Sequence, residues 1–193
     1  MKPLLIIFTK APIMGKAKTR LAAGIGRVHA WRIYRAMCAK IFRNCTDPRW
    51  DTVLFVTPDD KIYSTFGGVW PERLPRIPQG SGGLSARLAK IYTHKGPLIV
   101  IGTDTPQQNR NDIAQGFKAL KTHACVFGPA TDGGFWLMGM DGPVPKNLFE
   151  DIRWSHPETL KDMQAKIIGP VTRLRRLTDV DDAKALRQVM EKP

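Results

Sequence analysis

Lys10, Lys16, Lys18 and Arg20 place four cations in one short stretch, directly after the apolar run Leu4–Phe8. Pro12 and Gly15 break that stretch, so it reads as a loop leaving a strand. Cations packed so closely repel one another unless an anion or water compensates them. The chemistry that suits them is binding of nucleotide phosphates, weighed against a merely solvated basic loop. Three acidic features supply the opposite charge. Asp104 follows the apolar run Leu98–Ile101 within Gly102-Thr103-Asp104-Thr105-Pro106. A carboxylate just past a buried strand suits a hard cation, Mg²⁺ or Mn²⁺, which in turn bridges phosphates. The alternative is an Asx turn or helix cap. Asp179 and Asp181 are spaced to point the same way on extended backbone and could complete a metal site with Asp104; helix capping needs only one of them. Asp132-Gly133-Gly134 allows positive φ and close backbone approach to a ligand, or a tight hairpin turn.

Other chemistries find less support. Trp154-Ser155-His156 could set a hydroxyl and an imidazole beside a substrate, but there is no Gly-x-Ser-x-Gly elbow for a hydrolase. Gly15-Lys16 lacks the earlier glycine and the following Ser/Thr of a Walker A loop. Cys38, Cys45 and Cys125 are odd in number and without metal-ligand spacing, which argues for small core hydrophobes. The string Leu21–Arg27 imitates a glycine-rich phosphate loop, but no strand directly precedes it; it reads as a turn before a long helix.

The elements that must position these residues alternate. Strands are expected at Leu4–Phe8, 51–57, 74–77, 98–102, 124–127, 135–138 and 171–177. Helices are expected at 28–44, 61–66, 84–92, 109–121 and 157–166, with a last one after Asp179–Asp182. In the first long helix, Trp31, Tyr34, Met37, Cys38, Ile41, Phe42 and Cys45 would face the core. Strands alternating with helices imply an α/β sandwich with a mostly parallel sheet. The chain has 193 residues, which suits one domain over 1–193, with 42% hydrophobic and 24% charged residues. A net charge of +13 is compatible with nucleic acid or a phosphorylated substrate. The basic residues are spread along the chain, without a zinc finger, an RNP-type motif or a basic tail, so nucleic acid is the lesser expectation. No apolar run reaches membrane-span length, and the N-terminal one is too short for a signal-peptide core; the expected location is cytoplasmic.

The ordered set Phe8-Thr9-Lys10-Ala11-Pro12, Gly15, Lys18-Thr19-Arg20-Leu21, then Gly102–Pro106, Gly128–Phe135, Trp154-Ser155 and Asp179-Val180-Asp181 resembles the bacterial DUF2064 family. That family is also known as glycosyltransferase-like or rSAM/selenodomain-associated transferases. It is placed in the nucleotide-diphospho-sugar transferase superfamily, and the chain is similar as well to 2-phospholactate guanylyltransferases. The resemblance implies a GT-A-like three-layer α/β/α sandwich. It also implies a metal-dependent transferase acting on an NTP or nucleotide sugar and a small-molecule acceptor. The leading expectation is nucleotidyl transfer from an NTP to a phosphorylated small molecule. Glycosyl transfer from a nucleotide sugar is the alternative, and a non-catalytic nucleotide- or RNA-binding protein the reading from another class. In the roles implied, Lys10, Lys18 and Arg20 hold phosphate oxygens together with Gly15, Lys16, Gln79 and Gly80. Asp104 holds Mg²⁺ or Mn²⁺ with Asp179 or Asp181. Asp132, Gly133, Gly134 and Trp154 face the acceptor or sugar. The chain departs from the family pattern at Gly82-Gly83-Leu84-Ser85-Ala86-Arg87, where relatives read Gly-Asp-Leu-Gly-Glu-Arg. It departs again at Asp182-Ala183, where they read Thr-Pro, which weakens the expected helix cap.

Overall fold

Leu4–Lys10 forms β1, with every residue from Leu5 to Ile7 buried. A strand buried on both faces belongs in the middle of a sheet. In the computed structural model, which describes residues 2–141, 144–145 and 147–191, β1 pairs in parallel with β2 (Asp51–Thr57) on one side. On its other side it pairs in parallel with β4 (Pro97–Ile101). The seven-stranded sheet has the order β3-β2-β1-β4-β6-β5-β7, with β3 at Arg76–Pro78, β5 at Cys125–Pro129, β6 at Phe135–Asp141 and β7 at Val171–Arg173. Only β6 is antiparallel to its neighbours, so the other strands all end at one edge. The chain leaves β1 toward β2 and β3, then returns to place β4 on the far side of β1. That reversal makes the β1/β4 crevice the topological switch point.

Helices cover both faces. Leu5 and Ile7 pack with Tyr34, Cys38, Ile41 and Phe42 of α2 (Arg27–Cys45) and Ile113 of α4 (Arg110–Ala119). Ile6 points the other way, toward Leu88 and Ile91 of α3 (Leu84–Ile91) and Met163 of α5 (Thr159–Ala165). This is the expected three-layer α/β/α sandwich. A third cluster joins Leu21 of α1 (Thr19–Ile25) to Ala30 and Met37 of α2, with Leu186 of α6 (Ala183–Met190) against it.

Several local expectations need correction. Most of Leu21–Arg27 is helix, not turn: the chain breaks only at Gly26, at φ 85°. Leu21 is fully buried, so the apolar stripe of this short helix has a core to join. Trp31 is only half-buried, and its indole Nε1 donates to Pro12 O at 2.7 Å, tying the cationic loop to α2. The expected helix at 61–66 is a single 3₁₀ turn at Asp59–Lys61. The last strand is shorter than expected, ending at Arg173.

Candidate active site at the strand ends

The C-terminal ends of β1 and β4 open into a cavity of about 430 Å³, lined by Lys10, Lys16, Lys18 and Arg20 together with Asp104 and Asp181. Backbone and side-chain bonds hold the two strand ends together. The Tyr34 hydroxyl donates to Lys10 O at 2.9 Å, receives Lys10 N–H at 3.2 Å and lies 3.3 Å from Thr103 Oγ1. The segment leading into α6 is pinned beside them by Val180 N–H donating to Asp104 O at 2.8 Å. This one bond explains how acids far apart in sequence come to share a site.

Lys18 lies at the centre. Its residue sits in the left-handed region at φ 53°, just before α1, and its side chain is 5% exposed. The ammonium Nζ is 2.6 Å from Asp104 Oδ1 and 2.7 Å from Asp181 Oδ1. Burial disfavours its charged form, but the two carboxylates outweigh burial and raise its pKa. Burial would likewise push the Asp181 carboxyl up. Lys18 and Arg20 overcome this and hold it below the usual carboxylate range, Arg20 reaching it at 2.5 Å. Asp179 has the opposite fate. Burial and then the nearby Asp132, Asp104 and Asp181 charges push it up to about 7, despite the hydrogen bond from Thr105 Oγ1 at 3.0 Å.

A second hollow of about 180 Å³ is lined by Leu84, Asp132, Gly134, Phe135, Trp154, Ser155, His156, Thr159 and Asp179. Its wall is aromatic and acidic, with no lysine or arginine. Asp179 lies on this hollow and is coupled in charge to Asp104 and Asp181 of the first, so the acids form a ridge between the two. Trp154 is fixed by its Nε1 donating to Ser85 Oγ at 2.8 Å. That serine stands where relatives carry glycine in the motif.

The expected site residues are thus divided. Lys10, Lys16, Lys18, Arg20, Gln79 and Asp104 meet in the first cavity, and Asp132, Gly134 and Trp154 in the second. Gly15 lines a separate hollow of about 540 Å³ with Met14, Lys16 and Arg27. Gln79 reaches the cavity, but its amide donates to Phe55 O at 2.7 Å and accepts from Arg87 at 2.9 Å. Gly80 N–H donates to Asp59 Oδ1 at 3.1 Å. Gly133, at φ 91°, is demanded by packing: a Cβ there would lie 2.1 Å from Pro157 O. Asp132 makes the Asx turn of a hairpin, accepting from Gly134 N–H at 2.9 Å, while its exposed carboxylate still borders the second hollow. The cap at the last helix survives the departure from the family pattern, because Asp182 accepts from Ala185 N–H at 2.8 Å. Tyr34 and Thr103, not among the expected residues, also line the first cavity. A tyrosine at a core position of a helix facing a strand end was the signal available for Tyr34.

The donor chemistry fits a hard divalent cation at Asp104 and Asp181, whose oxygens already share one positive charge. Asp179 is turned to Thr105, and among the described residues no three His, Cys, Asp or Glu side chains converge as a ready ligand set.

This fold and site define a class: the chain has the fold of the nucleotide-diphospho-sugar transferases. Its backbone matches a candidate nucleotide-diphospho-sugar transferase from Desulfovibrio desulfuricans G20 with a TM-score of 0.88 at 22% identity, over 98% of this chain and 87% of that one. It also resembles Rv0371c of Mycobacterium tuberculosis H37Rv, crystallised with manganese, at TM-score 0.58 and 12% identity over 99% and 100% of the two chains. The 4-diphosphocytidyl-2C-methyl-D-erythritol synthase of Anaerococcus prevotii aligns at TM-score 0.59 and 9% identity, over 97% and 96%. The chain belongs to the family described as "uncharacterized protein conserved in bacteria (DUF2064)", whose pattern it matches over residues 41–156. No curated protein matches it in sequence.

Proposed function

We propose that this chain is a transferase acting at a nucleotide phosphate, with nucleotidyl transfer from an NTP to a phosphorylated small molecule as its reaction. The observation that carries the reading is the juxtaposition of Lys10, Lys16, Lys18 and Arg20 with Asp104 and Asp181 in one cavity at the switch point. The NTP triphosphate would lie among the cations, which neutralise it and hold the α-phosphorus in reach. An acceptor phosphate oxygen attacks that phosphorus. The new P–O bond forms as the bond to the β-phosphate oxygen breaks, and pyrophosphate takes the bonding electrons. Little covalent chemistry falls to the protein, so positioning and charge neutralisation are its main contributions. Asp104 and Asp181 would hold Mg²⁺ or Mn²⁺, which when bound supplies further neutralisation of phosphate charge. The manganese-bound Rv0371c and the synthase of the same fold support this reading. The cavity draws on residues from Phe8 to Asp181, which supports treating 1–193 as one catalytic unit.

Glycosyl transfer from a nucleotide sugar is the second reading. It is favoured by the second hollow, whose aromatic and acidic lining without cations suits an uncharged polyol ring. Incubation with NTPs or nucleotide sugars, with and without Mg²⁺, separates the readings by product. Pyrophosphate release supports the first and nucleoside diphosphate release the second. Absence of any Mg²⁺-dependent nucleotide binding refutes both.

A further inference from the structure

The positive charge of the chain is segregated. Lys2, Lys10, Lys16, Lys18, Arg20, Arg27, Arg32, Arg35, Lys40 and Arg43 precede Asp47, the first acid, so residues 1–46 carry ten cations and no Asp or Glu. The remaining 20 cations face 17 acids, leaving only +3 of the +13 for the rest of the chain. Lys2, Lys18 and Arg20 find acidic partners in the fold. Lys10, Lys16, Arg27, Arg32, Arg35, Lys40 and Arg43 enter no ion pair among the described residues.

On α2, Arg32, Lys40 and Arg43 are exposed on the side away from the buried Tyr34, Met37, Cys38, Ile41, Phe42 and Cys45, with the half-buried Arg35 at the margin. From Arg32 to Arg43 this basic side runs roughly 16 Å at the helical rise. It continues into the loop: Arg35 lies 4.9 Å over the Trp31 ring, and Trp31 is bonded to Pro12. Met14, Lys16 and Arg27 line one hollow there. Two aliphatic side chains stand out of this basic surface, Met14 at 46% and Val28 at 44% exposure.

Like charges on one helix face, without an acid three or four residues away, do not help the helix. Their charge is complementary to an external polyanion. A single-stranded nucleic acid would be met by free aromatic stacking platforms among the cations, whereas Trp31 is half-buried, covered by Arg35 and bonded to Pro12 O. Cations around protruding aliphatic side chains instead match an anionic bilayer, where headgroups meet the cations and the aliphatic tips enter the interface. We propose that the outer face of α2 and the loop around Met14 dock the chain on an anionic membrane surface. No helix among the described residues is long and apolar enough to cross a membrane, so the contact is peripheral. Lys10 and Lys16 belong to the cavity as well, so docking sets the mouth of the cavity close to the lipid headgroups.

The test is co-sedimentation of the full chain with phosphatidylcholine vesicles, with and without phosphatidylglycerol, as salt is raised. Binding is expected only with phosphatidylglycerol, falling with salt. At about fivefold per cation near such a surface, the Arg32→Glu, Lys40→Glu, Arg43→Glu variant should lose about a hundredfold or more in partition. Met14→Ser with Val28→Ser, which removes the apolar tips without adding charge, should weaken vesicle binding while leaving binding to a polyuridylate RNA unchanged. All five positions are exposed, and an unchanged melting temperature confirms that each variant folds. Equal binding to both vesicle types, or partition indifferent to the α2 reversals, overturns the proposal. So does RNA binding tighter than vesicle binding together with no effect of the Met14 and Val28 changes; that result assigns the surface to nucleic acid.

Discussion

Lys18→Met tests the electrostatic centre of the site most directly. Methionine keeps an unbranched chain of similar length in a position 5% exposed and removes only the charge. Leaving a fully buried ion without its partner costs roughly 3–5 kcal/mol. Here Asp104 is 50% and Asp181 37% exposed, so water takes up part of the uncompensated charge, and Arg20 still reaches Asp181. The discounted cost is about 1–2 kcal/mol. In a chain of this size that lowers Tm by about 2–8 °C. Arg20→Met, removing a side chain 77% exposed, should cost under about 1 kcal/mol. The second half of the assay is Mn²⁺. With the lysine gone, a divalent cation is the remaining way to neutralise the two acids together, so Mn²⁺ should raise Tm of Lys18→Met more than that of the unaltered chain. Saturation at about a hundred times Kd corresponds to roughly 2.7 kcal/mol. The reasoning is refuted if Lys18→Met melts within a degree of the unaltered chain and its response to Mn²⁺ is no larger.

Asp179→Asn should flatten the pH dependence of stability. Its carboxyl sits near 7 in the folded chain, against about 3.9 when unfolded, so the folded state holds the extra proton between those values. Stability therefore rises as pH falls from about 7 to about 4, and thermal melts at pH 8 and pH 5 should differ less in the variant. Asp104→Asn should abolish the Mg²⁺ dependence of nucleotide binding measured by thermal shift; unchanged, metal-dependent binding removes Asp104 from the proposed ligands. Gly133→Ala should cost more than about 2 kcal/mol in chemical denaturation, since it meets both a positive φ and the Pro157 carbonyl. Cys38 and Cys45, whose thiols burial pushes up to about 12, should resist iodoacetamide at pH 8 until the chain is unfolded.

How much of this was legible in the sequence depends on how local its cause was. Asp51–Thr57 emerged with its expected bounds because Pro58 stops an apolar run that alternates with nothing polar. The three-layer sandwich followed from alternation of element types, and Leu5, Ile6 and Ile7 confirm it by packing alternately to the two sides. Leu21–Ile25 is not legible as helix because Gly24 within it and Gly26 just after it suppress helix propensity, whereas Gly24 is the contact that admits Ala183: a Cβ there would lie 2.9 Å from the alanine Cβ. Among site residues, the cations and acids could be named from type and position. Their pairing could not. That Lys18 would spend its charge on Asp104 and Asp181, or that Gly80 N–H would belong to Asp59, depends on tertiary contacts with no short-range signature.

The division of the site into a cationic and an acidic hollow traces to one topological choice. In a wholly parallel sheet only strand ends, and the loops leaving them, reach the ligand-binding edge. Here β6 runs against its neighbours, so its beginning at Phe135 arrives at the edge where β5 finishes. The short connection between them, Thr131–Gly134, is thereby held at the site as a tight hairpin, fixed by Ala130 N–H donating to Gly134 O at 3.0 Å. A crossover helix at this point would have carried the chain away across a face of the sheet. The hairpin instead sets Asp132, Gly134 and Phe135 opposite Trp154 and beside Asp179. The acids of the ridge then face cations on one side only. Lys18 and Arg20 depress Asp181, while Asp179, buried and set beside Asp132 and Asp104, is raised. In the proposed readings a phosphate chain would lie on the first side, and a nucleotide sugar's hydroxyl-rich ring on the second. That polarity is what a transferase needs if it is to hold a charged donor and a differently built partner on either side of the bond being made.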